Sequence, residues 1–157
     1  MAANAGLRAR YGELAPVNNG EEVVFVDTRT GKDFASYDGL FLCADGVIFN
    51  ESKAHLTVHD VAAVVDAHAR LSAVVADPAR FKSRPADVLL LMKVVKGRAV
   101  IPLLSSSVCD AATAAAAAAA RVHVLVQSGE GFACALAAGE FGPARAPRQK
   151  ARAAKRP

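Results

Sequence analysis

Apolar residues fall along this chain in short blocks cut by turn residues, and the first clear block begins at Val23. Val23-Val24-Phe25-Val26 is β-branched and aromatic, as strands favour, and it stops at Asp27-Thr28-Arg29-Thr30-Gly31-Lys32, a turn composition. Phe34 to Tyr37, Leu40 to Cys43 and Val47 to Phe49 follow as further apolar runs. Asp38-Gly39 and Asp45-Gly46 separate them, and aspartate followed by glycine suits the positive φ of tight hairpin turns. The pattern predicts four strands in an antiparallel meander. Before them, residues 1–20 hold Pro16 and Asn18-Asn19-Gly20 and read as an irregular arm.

At Thr57 the period changes. Val58, Val61, Val64, Val65, Leu71, Val74 and Val75 recur at helical spacing until Asp77-Pro78 stops the pattern. Thr57 is placed to cap this amphipathic helix, with Asp60 completing a variant of the capping box. His68 falls on its apolar stripe, as a core or interface histidine with one satisfied nitrogen. Arg80-Phe81-Lys82-Ser83-Arg84-Pro85 then leads into Val88–Val95, which Lys96-Gly97 separates from Arg98–Leu104. The spacing predicts a hairpin whose one face carries Leu90, Met92, Val94, Ala99, Ile101 and Leu103. Ser105 to Ser107 and Asp110 offer caps for a helix through Ala114–Ala120 to about Arg121. A last hairpin joins Val122–Gln127 to Phe132–Ala138.

This order predicts an α+β fold, largely antiparallel, with two helices (about 57–76 and 108–121) on one face. The expected organisation is an arm over 1–20, one domain over 21–141 and a flexible basic tail over 142–157. A length of 157 residues suits one domain. The apolar run Val88–Met92 is closed at once by Lys93, whereas a bilayer span needs about 20 apolar residues, so no membrane is expected as partner. Cys43, Cys109 and Cys134 are odd in number and far apart, as befits structural thiols in a reducing, cytoplasmic or nuclear compartment.

Charge sharpens the picture. Arg145, Arg148, Lys150, Arg152, Lys155 and Arg156 make the tail basic with no acid, while residues 1–141 hold 13 bases against 15 acids. The overall charge of +4 therefore belongs to the tail. With the tail, Arg80, Phe81, Lys82, Arg84, Lys93, Lys96 and Arg98 form the candidate nucleic-acid surface: the bases neutralise phosphates, and Phe81 stacks on an unpaired base.

Other chemistry is poorly supported by spacing. His55, His59, Asp60 and His68 do not supply three or four ligands on one face, so no metal and no cofactor are expected. Ser105 to Ser107, Cys109, Cys134 and His123 are the residue types of nucleophilic catalysis without its motif, and Gln127–Gly131 matches no phosphate loop. Asp27 with Asp33, and Asp38 with Asp45, read as turn aspartates.

The strands from Val23 through Leu56, followed by the helix after Ala54-His55-Leu56-Thr57-Val58, resemble the four-strand-and-helix unit of the Pur, Whirly and positive-cofactor-four single-strand binders. The resemblance covers about residues 22–76 and implies a curved sheet carrying nucleic acid, with the helix supporting a dimer. The expected function is a non-enzymatic accessory protein that binds nucleic-acid backbone without sequence preference. The alternative is an interaction or regulatory module, docking a protein partner or a second copy, with an incidental tail.

Overall fold

The computed structural model describes residues 5–137 and Phe141. In chain order these form α1 (Ala5–Tyr11), β1 (Ala15–Pro16), β2 (Val23–Asp27), β3 (Asp33–Tyr37), β4 (Gly39–Cys43), β5 (Gly46–Leu56), α2 (Val58–Ala76), β6 (Phe81–Arg84), α3 (Val88–Val94), β7 (Ala99–Cys109), α4 (Ala111–Ala119), β8 (His123–Ser128) and β9 (Gly131–Ala135). Short 3₁₀ turns lie at Asn18–Gly20 and Pro78–Arg80. The class is α+β. Six strands form one sheet in the order β1-β4-β5-β7-β8-β9, and three form a second, β3-β2-β6.

Most neighbouring strands are antiparallel, but the centre of the large sheet is not. β5 pairs with β7, and β7 with β8, in parallel. Each connection crosses over through a helix, α2 in the first case and α4 in the second, as parallel neighbours require. β7 is buried from Ala99 through Ser106, the near-continuous burial of a strand covered on both faces.

The helix after Thr57 forms as expected. The Thr57 side chain accepts from the Asp60 N–H, and the Asp60 carboxylate accepts from the Thr57 N–H at 2.8 Å. α4 starts at Asp110, whose side chain accepts the Thr113 N–H at 2.7 Å. The last hairpin also forms, as β8 and β9.

Four expectations are corrected. Val88–Val95 is no strand: α3 occupies it, with Val88, Met92 and Val95 buried at helical spacing. The run is apolar at almost every position, so it satisfies a period of 2 and of 3.6 alike, and its leucines and methionine favour the helix. Ser105 to Ser107 lie inside β7 and cap nothing. The arm contains α1, whose Leu7 and Tyr11 are buried. The meander is divided, since β2 and β3 belong to the small sheet and β4 and β5 to the large one. Asp38 alone separates β3 from β4.

Strand alternation gives the large sheet two apolar faces. Val47, Phe49, Val100, Leu104 and Val124 pack in one core with Val61, Val64, Leu71 and Val74 of α2 and with Val23, Phe25 and Phe81 of the small sheet. Ile48, Ala99, Ile101, Leu103 and Leu125 face the other way, against Leu7 and Tyr11. Tyr37 donates its hydroxyl to the Ala67 carbonyl at 2.7 Å, tying the small sheet to α2.

Candidate functional site

The β4–β5 hairpin runs in unbroken register from Cys43↔Gly46 to Gly39↔Asn50. Asp38 is the bend residue just before Gly39, and its charge acts on Glu51 of β5. Gly46 permits the close approach of β7 on the other side, because a Cβ there would lie 2.0 Å from the Ala99 carbonyl oxygen. Glu51 and Lys53 alternate with the outward-facing positions, so both lie on the face shared by Val47, Phe49 and α2. Together with Leu104 and with His59 and Val64 of α2, they line a cavity of about 380 Å³.

Two carboxylates brought near each other repel, a cost that a structural sheet avoids. Glu51 shows this cost: burial first, and the charge of Asp38 second, push its carboxyl above the usual range, with Lys53 opposing. Asp60 also borders the cavity, but its carboxylate is spent on the cap and lies below its usual range because Thr57 hydrogen-bonds to it. Asp60 is thus structural, and Glu51, Lys53 and His59 are the polar groups left in the cavity lining, with Asp38 acting on Glu51 through its charge. Among the described residues no three His, Cys, Asp or Glu side chains gather into a metal-binding group. Two carboxylates are instead the donor set for a hard divalent cation such as Mg²⁺, which keeps most of its water.

Several of the residues singled out for nucleic-acid contact are already engaged within the fold. Phe81 is buried at 2% exposure against Phe34, so its ring is not offered for stacking. Arg80 pairs with Asp27, through Nε at 3.2 Å and through Nη2, and lies over the Phe81 ring. That pairing holds the Asp27 carboxyl down at about 2. Arg84 pairs with Asp33 at 2.9 Å, while Lys82 is exposed between the two arginines. Lys93 and Lys96 are exposed at the end of α3, and Arg98 turns toward the Ala44 carbonyl at 3.2 Å. Arg145, Arg148, Lys150, Arg152, Lys155 and Arg156 lie outside the described residues.

The remaining candidates resolve into structural roles. His68 donates from Nε2 to the Val100 carbonyl at 2.9 Å, and burial lowers its pKa. His123 is fully buried and held by Tyr11 and Ala137. The three cysteines are free thiols, each pushed up in pKa chiefly by burial.

The sequence analysis missed Asp38 as a site residue because it reads as a turn aspartate. The signal that points to it is the two-residue turn at Ala44-Asp45, whose register brings Gly39 to Asn50 and leaves Asp38 and Glu51 at the end of the pairing, while alternation adds Lys53. Compared with protein-family models, curated proteins and solved structures, the chain matches none.

Proposed function

We propose that the protein hydrolyses phosphodiester bonds of nucleic acid with the help of a divalent cation, at Asp38, Glu51 and Lys53. The observation that carries this reading is the cavity lined by Glu51 and Lys53, where the charge of Asp38 helps to raise the Glu51 carboxyl. The two carboxylates would hold the cation, which supplies Lewis-acid polarisation of the phosphate and an acidified water. Lys53 would hold a non-bridging phosphate oxygen as charge builds there. Water adds at phosphorus, the bond to the leaving ester oxygen breaks, and that oxygen takes up a proton. Nucleic acid is favoured as substrate by the six bases of residues 142–157, which would recruit a polyanion to an otherwise mildly acidic body. This reading departs from the expectation of a non-enzymatic binder.

The test is incubation of the full chain with single- and double-stranded DNA and RNA, in Mg²⁺ or Mn²⁺ and in EDTA. Cleavage should require the metal, fall to background in Asp38→Asn and Glu51→Gln, and drop roughly 100-fold in Lys53→Ala. A wild-type chain inert on every substrate with both metals rules the reading out. Salt-dependent binding without cleavage would return the non-enzymatic accessory role, and removing residues 142–157 should then flatten the salt dependence.

A second reading, the interaction module, is favoured by α3. Leu90 and Val94, four residues apart, are 61% and 70% exposed. A dimer of the full chain in light scattering that Leu90→Glu converts to monomer would support it.

A further inference from the structure

A nucleic-acid phosphodiester expels an alkoxide oxygen, a poor leaving group until it is protonated. The cavity that holds Glu51 and Lys53 contains few groups able to supply that proton. Its floor is β5, with Leu104 of β7, and its roof is α2, where His59, Ala63 and Ala67 line it at a spacing of four residues. The two alanines add no polar group, so His59 and Asp60 are the roof residues with protons to move. The first turn of the roof is held in place, because Thr57 and Asp60 close a capping box around His59.

Elimination narrows the choice. The Asp60 carboxylate accepts the Thr57 N–H at 2.8 Å and the Thr57 hydroxyl at 2.7 Å, and these bonds favour its ionised form, which has no proton to give. Glu51, with Asp38, is assigned to the cation, and Lys53 to a phosphate oxygen. His59 remains. Histidine is the side chain most often used to pass a proton near neutral pH. His68 and His123 spend ring nitrogens on Val100, Tyr11 and Ala137, whereas among the described residues the His59 ring makes no hydrogen bond. Its charge nonetheless reaches Asp60, as does that of Lys53, and Lys53 also acts on Glu51, so these groups surround one space. His59 is exposed, which leaves it open to water on its other side.

We propose, resting on the cleavage reading of this site, that His59 is the general acid: its imidazolium gives a proton to the leaving ester oxygen as the bond from phosphorus to that oxygen breaks. A water forms the new bond to phosphorus and releases one proton to solvent, and the neutral ring takes a proton back from solvent. The full chain in Mg²⁺ is assayed on an oligonucleotide and on the p-nitrophenyl ester of thymidine 5′-phosphate, whose phenolate leaves without a proton. His59→Gln should slow oligonucleotide cleavage roughly 100-fold and hydrolysis of the nitrophenyl ester only roughly threefold. The ester also reports that the variant is folded, since a misfolded chain loses both activities together. An equal loss on both substrates, or no loss on either, would overturn the role of His59, while Glu51→Gln, inactive on both, would keep the cleavage reading standing. An intact chain inert on the oligonucleotide in Mg²⁺ and in Mn²⁺ would overturn the cleavage reading and the role of His59 with it.

Discussion

The two faces of the large sheet are held in different ways. On one, α2 and the small sheet bury valine, leucine and phenylalanine against Val47, Phe49, Val100 and Leu104. On the other, a helix of seven residues lays Leu7 and Tyr11 on Ile48, Ile101 and Leu103, and a fully buried imidazole completes the contact. The first face is cohesive chiefly through area, with the half-buried His68 as a lesser pH-sensitive group. The second relies on a polar ring that must stay neutral to remain where it is.

The comparison breaks first on core truncation. Leu71 and Leu7 are both fully buried, but the short α1 should collapse more readily around a gap. We expect Leu71→Ala to cost about 4 kcal/mol and Leu7→Ala about 2 kcal/mol in denaturant unfolding. Equal costs would mean that α1 is packed as firmly as α2. Acid is the next lever. The folded pKa of His123 is depressed to about 4 from 6.5, so its contribution is fully present above pH 6.5 and is lost as pH falls toward 4, where the unfolded chain takes up a proton that the folded one refuses. The loss is on the order of 3 kcal/mol, and His123→Gln should flatten the stability profile over that window. His68, lowered in the same direction, leaves a residual slope of the same sign. The smallest effect belongs to the carboxylate pair. The carboxyl of Glu51 is raised, so its ionisation weighs against the fold as pH rises. Glu51→Gln should raise Tm slightly at pH 7 and leave it unchanged near pH 4, where the acid is largely protonated, even as it abolishes cleavage. A fall in Tm at pH 7 would show the carboxylate to be structural.

The legible parts of the fold are those whose cues are local. Thr57 and Asp60 sit three residues apart and announce α2, and the Asp-Gly pairs mark the strand ends correctly. α3 was not legible, because Val88–Val94 offers no polar residue before Lys93 to choose between periods. The parallel centre was hidden for a different reason: pairing of β5 with β7 depends on a crossover of more than forty residues, which no window sees. α1 was masked by the turn residues that follow it. The candidate site was half legible, since register follows from the Ala44-Asp45 turn but the cavity needs α2 folded back over β5. The basic members of the nucleic-acid set rest on charge, and charge does not reveal that Arg80 and Arg84 already have acidic partners.

The single residue between β3 and β4 gives the molecule a form of self-inspection. Asp38 joins a strand of the small sheet to a strand of the large one, so its charge reaches Glu51 only while both sheets are docked. One extra residue there would turn the aspartate to the opposite face, since side chains alternate with every step. Loosening of the small sheet alone would scatter the pair while the parallel centre still stood. A nascent or damaged chain would thus carry these two acids apart until the last sheet has closed.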